Sequence, residues 1–273
     1  MIKEIIKPPS PHWVGNGFFV NGYFSSFLQE NSPFLLFDYA SKRYFAPSKT
    51  QRGVGSHPHR GFETVTIALA GKVAHHDSYG NSGIIEAGDV QWMTAGSGIL
   101  HQEYLEKKFN ENGGDFEMIQ LWVNLPKKYK MTTPKYQGIK SVDIPKVQKG
   151  ENLLEIIAGK FENCQGIAET FSPINLFLIN LKEELILEIP TNYNSMILVL
   201  EGNVEIGKHQ VSAKNLAILQ TGVLKINGTA KILFLSGQKI DEPIAHYGPF
   251  VMNEKQELIQ AIDDFNAGKF GNL

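Results

Sequence analysis

The chain has 273 residues, 42% of them hydrophobic and 20% charged, with a net charge of −2. That balance allows a sizeable core and argues against long disordered stretches, and acids and bases spread evenly exclude the basic stripe that phosphate backbones require, so no direct nucleic-acid partner is expected. A single cysteine, Cys164, excludes an intrachain disulfide and a cysteine-based zinc cluster, and fits a reducing compartment.

The run from Met1 to Pro9 has no long apolar stretch and no small-residue cleavage site, unlike a signal peptide. No window reaches the roughly 18 apolar residues of a membrane span. A soluble, cytoplasmic protein without membrane contact is expected.

Short strand-like runs separated by glycine turns follow. Thr64-Val65-Thr66-Ile67-Ala68-Leu69 alternates small or polar with large apolar side chains, the period of a half-buried strand, and Gly71 ends it. Tyr79 to Gly83 reads as a turn, then Ile84-Ile85 and Val90-Gln91-Trp92-Met93 as strands. Met118 to Val123 and Leu153 to Ile157 continue the pattern. Many short strands at such spacing predict a sandwich or barrel.

The pattern repeats weakly. Ile67 to Val73 aligns with Leu198 to Val204, and Ile85 to Gly96 with Val211 to Gly222, an offset of about 130 residues that suggests two copies of one barrel. The fold expected is therefore all-β, two antiparallel β-barrels with a short C-terminal helix. Residues 1–130 are expected to form a metal-binding barrel, 131–150 a linker, 151–240 a degenerate second barrel, and 241–273 a tail with the helix. In that tail Asn253 and Gln256 have capping-box spacing, and Leu258, Ile259, Ala261, Ile262 and Phe265 recur at helical spacing before Gly268.

The chemistry concentrates in two short motifs. His57-Pro58-His59 places two imidazoles two residues apart, which on a strand share one face with their Cα atoms about 7 Å apart. Two ring nitrogens can then converge on one ion at about 2.0–2.1 Å. His101-Gln102-Glu103 repeats the spacing, so two such segments facing each other would offer three imidazoles and a carboxylate. The turns expected before them are Gly53-Val54-Gly55 and Gly96-Ser97-Gly98. Glu63 shares the parity of the histidines but would lie about 13 Å along an uninterrupted strand from His59, so Glu103 is the expected ligand and Glu63 a candidate for orienting a histidine. In His75-His76 at most one side chain can point inward, and the pair is set aside. His12, His209 and His246 have no metal-spaced partner, and no His-x-His follows His101, so one metal site is expected.

These residues carry a resemblance. The segments His57 to Val65, Gly88 to Gly96, His101 to Glu103, Phe116 to Pro126 and Tyr247 to Asn253 are similar to the pirin family of the cupin superfamily. The resemblance implies a bicupin, two cupin barrels of jelly-roll type face to face, with iron in the first on His57, His59, His101 and Glu103. It implies a dioxygenase that opens flavonol (quercetin-like) substrates with O2 and loss of carbon monoxide. Glu103 would then be the catalytic group that accepts the substrate's hydroxyl proton as well as a ligand. Phe62, Trp92 and Met93 are candidate walls for a small aromatic substrate. Fe(2+) is the metal favoured, although nitrogen and oxygen ligands also accept Mn, Ni, Cu and Zn. The alternative reading is an iron-dependent, redox-sensing regulatory protein with a protein partner such as a transcription factor. A large mouth over the metal would favour the enzyme, and a closed, flat, charged face the regulator.

Overall fold

The computed structural model of the protein describes residues 1–25 and 29–273. The chain forms two compact units, one from Met1–Pro9 with Val142–Lys239 and the other from Ser10–Ser141 with Ile240–Leu273. Residues 1–9 thus depart from chain order. The strand Ile2–Ile6 pairs with Leu216–Leu219 instead of joining its sequence neighbours. Residues 241–273 belong with the unit that carries the histidines. The stretch 131–150 holds a strand, Lys135–Ile139, paired with Val90–Thr94.

In the histidine-bearing unit, seven strands form one antiparallel sheet. Their order is Lys135–Ile139, Val90–Thr94, Phe62–Ala70, Gly114–Asn124, Phe34–Phe45, Phe18–Ser25 and His12–Val14. A second sheet of four runs Gly53–His59, Ile99–Leu105, Lys72–Asp77 and Ser82–Glu86. Phe18, Ala68, Val73, Leu105 and Phe116, contributed by both sheets, pack into one apolar cluster. The segment Gly53 to Gly55, expected as a turn, is the beginning of the His57 strand.

The other unit is built on a nine-stranded sheet. Its long central strands, Tyr193–Ile206 and Gly222–Gln238, pair with each other almost throughout. Leu185–Ile189 pairs with the first part of Gly222–Gln238, and Ile174–Leu181 with the remainder.

The all-β class is observed, but the two closed barrels are not. Among the described residues the nine-, seven- and four-stranded sheets are open paths whose edge strands are not hydrogen-bonded to one another. Alternation in a sequence specifies which face of a strand is buried; it does not specify whether the last strand pairs with the first. Here packed side chains, rather than a continuous ladder, hold the seven- and four-stranded sheets together.

Two α-helices are present among the described residues. Lys107–Asn112 was not anticipated; its amide donors at Lys108 and Phe109 are satisfied by the Glu106 carboxylate. Lys255–Asn266 is the expected C-terminal helix, shifted by one residue at its start. Glu254 caps it, and Glu257 rather than Gln256 reaches back to accept from the amides of Asn253 and Glu254. No helix among the described residues is long and apolar enough to cross a membrane.

Candidate metal centre

The strand Ile99–Leu105 alternates strictly, with Ile99, His101, Glu103 and Leu105 buried and the residues between them only partly so. His101 and Glu103 therefore point to one side, into the unit. Antiparallel pairing sets His57 directly across from His101 on one flank, and His75 across from Glu103 on the other. His59 follows His57 on the same face. The ring centroids of His57 and His101 lie 4.2 Å apart, and His59 stands 4.8 Å from each.

The His57–His59 segment is locked from outside. Arg60 donates through Nε to the Ser97 carbonyl at 2.7 Å and through Nη1 to Asp264 of the C-terminal helix at 2.9 Å. Gly61 has a φ of 86°, and a Cβ there would collide with the Val251 carbonyl, so only glycine fits this turn. Lys130, 1% exposed, donates to the carbonyls of Gly61 and Val251 and to Asn124 Oδ1 at 2.7–2.9 Å. Three acceptors use all three protons of an ammonium. Burial, only partly offset by the charges of Glu242 and Glu257, draws this group down to about 7, but the three hydrogen bonds favour the charged form.

The nitrogens are arranged as a ligand set would be. The atoms that His57, His59 and His101 offer lie within 4.8 Å of one another, and so do those of His75, His101 and Glu103. His57 Nδ1 is 2.8 Å from the Gly55 carbonyl, a bond that needs the proton on Nδ1 and leaves the Nε2 lone pair free. Burial, and then the charge of neighbouring histidines, holds His59 and His101 well below the usual imidazole range, so both are neutral at pH 7. Both nitrogens of His101 and Nδ1 of His59 are buried without a hydrogen-bond partner. Orphaned buried nitrogens on convergent neutral imidazoles fit a divalent transition metal.

Glu103 Oε1 accepts from Gln91 Nε2 at 3.0 Å and lies 3.2 Å from Thr66 Oγ1. Thr66 also lies 2.7 Å from Gln120 Oε1, so its single proton serves one acceptor at a time. His75, set aside in the sequence, is the inward member of its pair and fully buried. Its Nε2 is 3.3 Å from Asp77, and its Nδ1 is free. Burial would raise Asp77, but hydrogen bonds from His75, Asn81 and the Tyr79 amide outweigh it and hold the carboxyl below its ordinary range. Parity allowed at most one of the two histidines inward without saying which, and only the pairing of Lys72–Asp77 with Ile99–Leu105 sets His75 beside Glu103. Glu63 is buried, and Thr94 Oγ1 donates to it at 2.8 Å. Burial raises its carboxyl to about 7.

A cavity of about 240 Å³ opens on His57, His59, His101 and Glu103. Its apolar walls include Val14, Phe18, Met118 and Trp122. Phe62, Trp92 and Met93 do not line it. Phe62 packs behind, against His59 and Trp122, and Trp92 and Met93 are wholly buried in the sheet. His12 and Asp38, which carry no motif, do line it.

An all-β arrangement with inward histidines and a glutamate beneath an apolar cavity defines a cupin-like protein with a candidate metal site. The pirin family model matches residues 19–123, and the pirin C-terminal cupin domain model matches 177–271. Pirin-1 of Arabidopsis thaliana is 36% identical over 231 residues, 80% of this chain and 78% of its own. The crystal structure of quercetin 2,3-dioxygenase from Acinetobacter baumannii is 47% identical with a TM-score of 0.94, covering 99% of this chain and 98% of that one. A bacterial pirin from Escherichia coli, solved in complex with nickel(II), shares the fold at 21% identity and a TM-score of 0.67, over 88% of this chain and 99% of its own. The chain belongs to the pirin family.

Proposed function

We propose that the protein is a metal-dependent dioxygenase that opens flavonol (quercetin-like) substrates with O2. In this reading Fe(2+) is held by His57, His59, His101 and Glu103. The observation that carries it is the cavity, which reaches all four of these side chains and not His75. The 47% identity to a quercetin 2,3-dioxygenase supports the reaction class. An open mouth above the histidines supports an enzyme over a regulator that presents a closed face to a protein partner.

The chain's own residues have separable roles. Phe18, Met118 and Trp122 hold a flat ring and exclude water from the polar end. Glu103, 6% exposed, takes the proton of the substrate's hydroxyl. Gln91 and Thr66 fix one of its oxygens and leave the other to receive that proton. His75 and Asp77 support the histidine and glutamate from behind. When bound, the ion supplies Lewis acidity and the one-electron chemistry that dioxygen requires.

The test is an oxygen electrode and a spectrophotometer on Fe(2+)-loaded protein with quercetin. Oxygen and the flavonol absorbance band should disappear in equal amounts, and neither should disappear after chelation. Turnover under strict anaerobic conditions would sink the proposal.

A further inference from the structure

Across the inner side of the seven-stranded sheet, strand register sets polar residues in a row. Gln91 pairs with Thr66, Thr66 with Gln120, Gln120 with Asp38, and Asp38 with Gly22. One end of the row hydrogen-bonds Glu103 through Gln91 and Thr66. At the other end stands His12, exposed to solvent. A Cβ on Gly22 would lie 3.1 Å from Asp38 Oδ1 and 3.3 Å from His12 Cε1. A carboxylate and an imidazole therefore close over Gly22, so near that even a methyl group there would crowd both. Gln120, Asp38 and His12 all line the cavity that holds the candidate metal ligands.

Burial pushes Asp38 up to about 6, with the charge of His12 drawing it partly back. Among the described residues no lysine, arginine or histidine forms an ion pair with it. A half-buried carboxyl that faces a cavity without such a partner is poised for a ligand.

We propose that Asp38 and His12 form a distal subsite that binds a hydroxyl on the outer ring of a polyhydroxylated aromatic substrate. Two strand spacings separate Asp38 from Thr66, about 10 Å, which is the reach of a two- to three-ring molecule whose other end meets the metal cluster. Asp38 accepts the hydroxyl proton as a hydrogen bond, His12 closes the far side, and Gln120 lies between. The subsite rests on the flavonol reading above and narrows it to substrates with a donor on the outer ring. A site that leaves a buried carboxyl unpaired discriminates strongly against an analogue lacking the hydroxyl.

The experiment is an anaerobic fluorescence titration of metal-loaded protein with two probes. Quercetin carries outer-ring hydroxyls; 3-hydroxyflavone keeps the chelating end and has none. Asp38→Ala should weaken quercetin about tenfold or more, equivalent to about 1.4 kcal/mol, and 3-hydroxyflavone less than about twofold. Gly22→Ala crowds Asp38 and His12 without changing charge and should show the same selectivity. Thermal melts of both variants confirm folding. Equal weakening of both probes, or of neither, overturns the subsite while leaving the flavonol reading intact. Failure of wild-type protein to bind either probe overturns that reading, and the subsite with it.

Discussion

In the unit formed by Met1–Pro9 and Val142–Lys239, the space between strands is filled by Phe177, Ile197, Val199, Ile232, Phe234 and their apolar neighbours. In the unit that carries the histidines, the equivalent interior holds His57, His59, His75, His101, Glu103, Thr66 and Gln91. Nine buried side-chain polar atoms among the described residues lack a protein partner, and eight belong to the unit that carries the histidines. Hydrophobic filling stabilises a unit and leaves nothing to react; a polar interior costs stability unless a ligand satisfies it. The contrast locates function in one of the two units without reference to any motif.

The sharpest way to break the contrast is to delete His57 and His59 together as alanines. Metal content, measured by elemental analysis, should fall to background while the strand content seen by circular dichroism persists. Full metal retention would mean that these imidazoles are not ligands. On the other side, Phe234→Ala should cost about 3–5 kcal/mol in denaturant unfolding, with metal per folded chain unchanged.

Glu63→Gln probes the cost of the polar interior through pH. A carboxyl whose folded value is raised from 4.5 to about 7 binds its proton more tightly in the native state. It exacts no penalty below about pH 4.5, an increasing one up to about 7, and a constant one above. The variant should be more stable than wild type at pH 8, by about 3 kcal/mol at most, and equal to it at pH 4. A gap independent of pH would reject the assignment. The smallest effect is expected from Thr66→Val, about 1 kcal/mol from one lost hydrogen bond, with metal retained and the pH profile of turnover displaced.

The inward-facing pairs were legible because a period of two fixes the face a strand residue occupies: His57 with His59, and His101 with Glu103, follow from spacing alone. The cross-strand partner of Glu103 was not legible, since His75 becomes relevant only once Lys72–Asp77 is known to lie beside Ile99–Leu105. Asp38 and His12 left no local signal. They meet because the strands His12–Val14, Phe18–Ser25 and Phe34–Phe45 fold as a meander. The open sheets and the place of Ile2–Ile6 were hidden for the same reason, as edge pairing is a property of the assembled unit rather than of any segment.

Arg60, the residue after His59, is tied to Asp264 across 204 positions of sequence. During synthesis the histidine segments emerge long before the helix that clamps them, so the first half of the nascent chain presents loose imidazoles rather than a finished cradle. The Arg60–Asp264 tie can therefore close only after the residues around 264 have cleared the ribosome.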